Sequence, residues 1–150
     1  MIDPFQPPPH AHHVMLPDGE TFIWEAGPGV MAHRVSGILS LPMVECFEDF
    51  YTPILGPHLR VKVFSDSRLV THVTREGRER GTALVREHFP ALEALHVLIA
   101  SRFVALAYGT FRQEVGEQRV FIYSDRDSLF RSFAQALSAT ENGRGYEAPS

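Results

Sequence analysis

The sequence predicts an α/β domain with a mixed sheet of four to five strands, an N-terminal antiparallel hairpin and about four helices. Two observations indicate this class. Two apolar runs of strand length, 95–100 and 119–123, are separated by a helix-like segment, and a second amphipathic segment follows. Near the other end, two β-rich stretches flank Gly27-Pro28-Gly29. Apolar strands alternating with helices are typical of a parallel sheet that is covered on both faces.

Composition narrows the class of protein further. The chain has 150 residues, enough for one domain with a sizeable core, and its net charge of −4 argues against nucleic acid as a main partner. Cys46 is the only cysteine and cannot form an internal disulfide. No segment approaches the ~20 apolar residues of a membrane span, and the N-terminus lacks the pattern of a signal peptide. We expect a cytoplasmic protein.

The N-terminal segment, residues 1–18, carries five of the eleven prolines and three of the eight histidines. Proline-rich segments of this kind are usually extended and solvated, so we expect a flexible arm outside the domain. The predicted domain spans residues 19–140, and a second flexible tail spans 141–150.

The elements of the first half follow in order. Residues 21–25 and 30–39 form the hairpin around the Gly-Pro-Gly turn. A helix opens at Pro42 and ends at Gly56. Its apolar stripe repeats at helical spacing and consists of Met43, Phe47, Phe50 (or Tyr51) and Ile54.

In the middle of the chain, the residue pattern predicts a third strand over 59–64 that ends at Ser65-Asp66-Ser67. Residues 68–74 then form a loop or a short strand that returns as a hairpin. Thr74 can cap a helix over 75–88. Two glycines of this helix, Gly77 and Gly81, lie on one face and would allow close approach to the sheet.

The last third, 95–137, reads strand, helix, strand, helix, and its two helices begin after Ser101 and after Ser124-Asp125. This order resembles the STAS and SpoIIAA-like domains, which are small bacterial α/β modules. The resemblance covers residues 21–139 and is strongest in HVLIASRFVALAYGTF and RVFIYSDRDSLFRSFAQAL. It implies a non-enzymatic role: protein binding, regulation or, in some members, binding of a lipid or small ligand. The best-known STAS proteins carry a phosphorylatable serine in an Asp-Ser-(Ser/Gly)-Gly-like turn before their second helix, whereas Asp66-Ser67-Arg68 has no following glycine.

Three strand ends are predicted to converge on one edge of the sheet, where ligands bind in open α/β folds. Helix N-termini at such an edge favour anions, so a small anionic ligand, or phosphorylation of Ser67, is one interpretation. The other is that the serines and aspartate are helix N-caps, which helices need in any case. The candidate residues are Ser65, Asp66, Ser67, Ser101, Arg102, Ser124 and Asp125.

Other kinds of site have less support. A receiver-type phosphoacceptor site would need acidic and lysine partners that the sequence does not supply around Asp66. The histidines follow no metal-ligand spacing, and His10, His12 and His13 lie in the arm, so no metal or cofactor is expected. Cys46 has no activating neighbour. The helical stripe Phe103, Ala107 and Phe111 could line an apolar ligand pocket, although core packing is the default interpretation.

The sequence therefore predicts a non-catalytic regulatory or protein-interaction module with an unidentified protein partner. The expected contact surface is a sheet edge or an amphipathic helix such as 43–55, and an exposed edge makes a homodimer plausible. The alternative is a binder of a small apolar or anionic ligand at the rim of the sheet, near Ser67 and Ser101. A weaker alternative is an enzyme with an unrecognised carboxylate–histidine site.

Overall fold

The computed structural model describes residues 3–55, 60–88 and 91–141. The strands are β1 (His12–Leu16), β2 (Gly19–Gly27), β3 (Val30–Leu39), β4 (Val61–Val73), β5 (Leu92–Leu98) and β6 (Val120–Tyr123). The helices are α1 (Leu41–Tyr51), α2 (Arg75–Glu87), α3 (Arg102–Val115) and α4 (Arg126–Glu141). None of the helices in these ranges is long and apolar enough to cross a membrane.

All six strands form one sheet in the order in which they occur in the chain. The first three strands are antiparallel, and β3 to β6 are parallel to one another. The mixed α/β class, the hairpin and the four helices are confirmed, and so is the pairing of the two C-terminal strands. The sheet has six strands rather than four to five, because β1 lies in the segment that we assigned to the arm.

The N-terminal segment packs against the domain over its described part. The ring of Phe5 is completely buried, with its centroid 4.9 Å from that of Phe133 and 5.7 Å from that of Phe130 in α4. Strand β1 then pairs with β2 along its whole length. The folded domain therefore begins before the predicted boundary at residue 19. The proline-rich composition gave no indication that Phe5 is buried or that β1 forms. The predicted tail starts at the last residue of α4, and 142–150 lie outside the described residues.

Strand β4 is the largest departure from the prediction. It continues from Val61 to Val73 without ending at Ser65-Asp66-Ser67, and 68–73 is neither a loop nor a returning hairpin. Its pairing with β3 shifts register twice, between Arg34 and Ser36 and again between Gly37 and Ile38. A polar triplet usually indicates a turn. Here the three polar side chains are buried and find partners inside the protein, so the strand passes through them.

The helices cover the sheet unequally. Helices α1, α2 and α3 pack side by side on one face, over a core that includes Ile23, Met31 and Val63. Helix α4 covers the other face, over a core that includes Trp24 and Phe64. The structure therefore has three layers, and any site between α1–α3 and the sheet is enclosed on both sides.

Local contacts explain where the helices begin. The Thr74 hydroxyl accepts from the Gly77 N–H (3.0 Å), as predicted, and a side chain at Gly77 would lie 2.7 Å from the Leu39 carbonyl oxygen. Close approach to neighbouring backbone thus explains Gly77. It does not explain Gly81, where an added Cβ would meet only the Phe111 ring at 3.7 Å. In α1, Tyr51 rather than Phe50 is buried, and Ile54 lies beyond the helix and is exposed.

Candidate functional site

Two of the three predicted strand ends lie at a common edge of the sheet. Ser101 follows β5, and Ser124 with Asp125 follows the parallel neighbour β6. Ser101 caps α3 by accepting from the Val104 N–H, and Asp125 accepts from the N–H and hydroxyl of Ser128. Hydrogen bonds from Ser128 hold the pKa of Asp125 below its usual value. The capping interpretation is therefore confirmed, whereas a ligand at this edge, near Arg102, stays a prediction.

The third predicted strand end is not at that edge. Ser65, Asp66 and Ser67 lie inside β4 and are 4%, 4% and 0% exposed. The Asp66 carboxylate accepts from Nε (2.9 Å) and Nη2 (2.8 Å) of Arg68, which also lies 3.9 Å from the Asp3 carboxylate. Because the Ser67 hydroxyl is shielded from solvent, it is not presented to a phosphorylating enzyme in this conformation. The placement of these three residues at the rim was wrong.

A cavity of about 110 Å³ lies between the sheet and the three helices α1, α2 and α3. The cavity is partly open to solvent, so it is a cleft that reaches into the core and not a sealed void. Most of its walls are aliphatic or aromatic. They include Val35 and Val63 from the sheet, Leu84 from α2 and Phe111 from α3.

A few polar side chains lie on the sheet side of this otherwise apolar cavity. His33 of β3 and Ser65 of β4 are neighbours in register, and both line the cavity. The His33 imidazole shares a hydrogen bond through Nε2 with the hydroxyl of Tyr51 in α1. The hydroxyls of Ser65 and Ser67 lie 2.9 Å apart, and Ser67 is also hydrogen-bonded to Tyr108 of α3. We call His33, Tyr51, Ser65 and Tyr108 the polar floor; Ser67 supports Ser65 but does not itself line the cavity.

The polar floor is uncharged at neutral pH. Burial lowers the pKa of His33 to about 3 and raises that of Tyr51 well above its ordinary value. Burial also raises the pKa of Tyr108 to about 12, although the hydrogen bond with Ser67 acts in the opposite direction. The imidazole and both phenols are therefore neutral hydrogen-bonding groups.

Part of the cavity wall lies where α2 and α3 meet. Arg78 lines it there and forms an ion pair with Glu114; their side chains are 22% and 31% exposed. Gly81 and Ala107 also line the cavity and bring only small side chains to this seam.

The sequence analysis predicted part of the lining of this cavity. Ala107 and Phe111 of the predicted stripe do line it, whereas Phe103 is 79% exposed and points elsewhere. The stripe diverges because a strict four-residue spacing drifts around a helix of 3.6 residues per turn. His33 and Tyr108 were missed. A signal was present for His33, which interrupts the apolar alternation of Met31 and Val35 on the covered face of β3.

The opposite face of the sheet carries a ladder of stacked rings. His96 lies between Phe64 (4.3 Å between centroids) and Phe121 (4.7 Å), each its register partner on a neighbouring strand. Its Nδ1 shares a hydrogen bond with the Tyr123 hydroxyl (2.8 Å). Burial, with a smaller effect of Lys62, lowers the pKa of His96 to about 4. This imidazole is a packed and satisfied part of the sheet.

The remaining sequence candidates are dispersed. Within residues 3–55, 60–88 and 91–141, no three His, Cys, Asp or Glu residues are grouped as a metal site requires. His13 stacks on Phe22 and pairs with Glu20 (2.9 Å), which ties it to the hairpin. Burial, together with Asp49 and Glu45, raises the pKa of Cys46, which works against its use as a nucleophile.

The outer face of α3 carries an apolar patch. Phe103 and Leu106 are 79% and 71% exposed and lie three residues apart, on one side of the helix. The neighbouring Arg102 is also exposed. Single exposed apolar residues are common, but two large ones on adjacent turns form a contiguous surface.

Comparison with solved structures supports the fold. The chain is similar to the crystal structure of an uncharacterized protein of the DUF3478 family with a SpoIIAA-like fold from Shewanella loihica PV-4. The TM-score is 0.54 at 9% identity, covering 82% of this chain and 91% of that one. A match to the overall structure of SLC26A9 has a TM-score of 0.48 at 13% identity, over 79% of this chain and 22% of that one. No family model and no curated protein matches the sequence. The chain has the SpoIIAA-like fold that its sequence predicted.

Proposed function

We propose that this protein is a non-catalytic regulatory or interaction module that binds a protein partner through the outer face of α3. The observation that carries the proposal is the patch formed by Phe103 and Leu106. Burying large apolar side chains is the main favourable contribution to protein association, and aromatic residues at the centre of an interface often dominate its energy.

The charge beside the patch specifies the chemistry of the partner. Arg102 lies in the first turn of α3, next to Phe103, and is exposed. A partner with an apolar contact surface and a flanking carboxylate would complement both features. The partner is therefore expected to be a protein with an acidic and apolar recognition surface, and the expected compartment remains the cytoplasm.

The other predicted surfaces are weaker candidates. The apolar side of α1 is occupied within the domain, since Met43, Val44 and Tyr51 are buried. Strands β1 and β6 are the two edges of the sheet, so pairing of two copies through an edge stays a prediction. The proposal of a ligand at the rim of the sheet has less support than before, because Ser65, Asp66 and Ser67 lie inside β4 and not at the rim.

A photo-crosslinking residue at position 106 would identify the partner in cells of the source organism. The purified partner is then titrated against the wild type, a Phe103→Ala variant and the control Gln113→Ala, which alters an exposed residue of the same helix. Burial of a phenylalanine contributes about 1.5–3 kcal/mol, so we expect Phe103→Ala to weaken binding about 10- to 100-fold. The control should bind like the wild type. Equal binding by all three proteins would refute the proposed surface.

A further inference from the structure

The cavity between the sheet and α1–α3 has the attributes of a binding site rather than of a packing defect. Its volume is about 110 Å³, and it is partly open to solvent. A defect in a core would be apolar throughout. This cavity instead has the polar floor at the sheet, with the Ser65 hydroxyl and the His33 imidazole on adjacent strands.

The polar floor has hydrogen-bonding capacity to offer. A serine hydroxyl has one donor and two acceptor sites, and Ser65 makes one hydrogen bond, to Ser67. The contact with the Ser67 hydroxyl holds the Ser65 hydroxyl in place. Ser65 is almost completely buried, so a polar atom of a bound molecule would meet its hydroxyl away from bulk solvent.

The charge of the lining determines which molecules fit. His33, Tyr51 and Tyr108 are neutral for the reasons given above, and the two serines carry no charge. Arg78 is the ionised residue of the lining, and its guanidinium is paired with Glu114. An anion would have to displace that carboxylate, and a cation would have no counter-charge at the floor. The site therefore favours an uncharged molecule.

The volume sets the size of that molecule. An apolar cavity of about 150 Å³ holds benzene, so about 110 Å³ encloses no more than one ring. The cavity is also partly open, so part of such a molecule can lie at the opening. We propose that this cavity binds a small uncharged molecule, a single ring or a short aliphatic chain, whose one hydroxyl or carbonyl group hydrogen-bonds to Ser65 and its neighbours on the polar floor. This inference is independent of the surface on α3.

The test uses phenol, toluene and benzoate as probes at pH 7, titrated into the full chain and followed by amide NMR shifts. Phenol carries the ring and the hydroxyl, toluene lacks the hydroxyl, and benzoate is charged. We expect phenol to bind at least threefold more tightly than toluene and benzoate not to bind. The shifts should concentrate around Ser65, Gly81 and Ala107. Shifts scattered over the surface, or equal binding of all three probes, would overturn the proposal.

Two variants sharpen this test. Gly81→Leu places a side chain in the cavity and should weaken phenol binding at least tenfold. The matched control Gly109→Leu adds the same group to α3 at a position outside the lining, where a Cβ meets nothing within 4 Å; it should stay within twofold of the wild type. Ser65→Ala keeps the cavity open and should weaken phenol binding at least threefold, with toluene unchanged. Phenol binding that survives both Gly81→Leu and Ser65→Ala would contradict the assignment, and the serine variant decides the matter if the leucine variant does not fold.

Discussion

Replacing Gly81 of α2 with alanine should stabilise the protein, because the position combines a helix interior with open space. A glycine in a helix costs about 1 kcal/mol relative to alanine. The added methyl would lie 3.7 Å from the Phe111 ring, which is an ordinary van der Waals contact, and burying a methyl contributes about 0.8 kcal/mol. The sum is a gain of about 1–2 kcal/mol, which for a chain of this length raises Tm by roughly 3–6 °C.

Two other glycines are matched controls for this prediction. Gly77 lies on the same helix, but a methyl there would be 2.7 Å from the Leu39 carbonyl oxygen, so Gly77→Ala should lose about 1–2 kcal/mol net. Gly109 of α3 has nothing within 4 Å of its added Cβ, so Gly109→Ala should gain about 1 kcal/mol from helix propensity alone. Urea unfolding at constant m-value measures all three. If Gly81→Ala is no more stable than the wild type, or Gly77→Ala gains as much as Gly81→Ala, the packing described here is incorrect.

Three further changes test other parts of the structure. Phe5→Ala should lower the free energy of unfolding in urea by about 3–5 kcal/mol, whereas the control His10→Ala should change it by less than about 0.5 kcal/mol. If Phe5→Ala is as stable as the wild type, the N-terminal segment is a loosely held arm after all. Burial lowers the pKa of His33 from 6.5 to about 3, so as the pH falls from 6.5 towards 3 the unfolded chain takes up a proton that the folded chain does not. The free energy of unfolding should therefore fall over this window by up to about 1.4 kcal/mol per pH unit from this residue, and a His33→Gln variant should show a correspondingly shallower dependence. Ser67→Ala should lower the free energy of unfolding by about 1 kcal/mol. Ser67→Asp should lower it by at least about 2 kcal/mol more, because aspartate places an unpaired charge at a fully buried position. Equal stability of the two variants would show that position 67 tolerates a charge and is accessible to a modifying group.

The elements that the sequence predicted well are those whose signals are local. The hairpin follows from Gly27-Pro28-Gly29, and the three helix starts follow from Thr74, Ser101 and Asp125, whose side chains accept hydrogen bonds from their own helices. The apolar runs of β5 and β6 indicated buried parallel strands, and the structure pairs them.

The elements that the sequence missed depend on partners far away along the chain. The polar triplet of β4 reads as a turn until Arg68 and the paired serines satisfy it inside the sheet. Similarly, β1 forms a strand because its backbone pairs with β2, which lies later in the chain. The polar floor joins His33, Ser65 and Tyr108 from three separate elements, and no spacing in the sequence relates them. Its one local signal was a histidine among the apolar residues of a covered strand.

We infer above all that a cavity with polar groups on its sheet side lies beneath the three helices α1, α2 and α3. A crystal structure of the protein soaked in phenol tests it most directly. We expect a ring enclosed by Val63, Leu84 and Phe111, with its hydroxyl within about 3 Å of the Ser65 Oγ. An interior filled by the protein's own side chains, or phenol bound only at the surface, would contradict the claim.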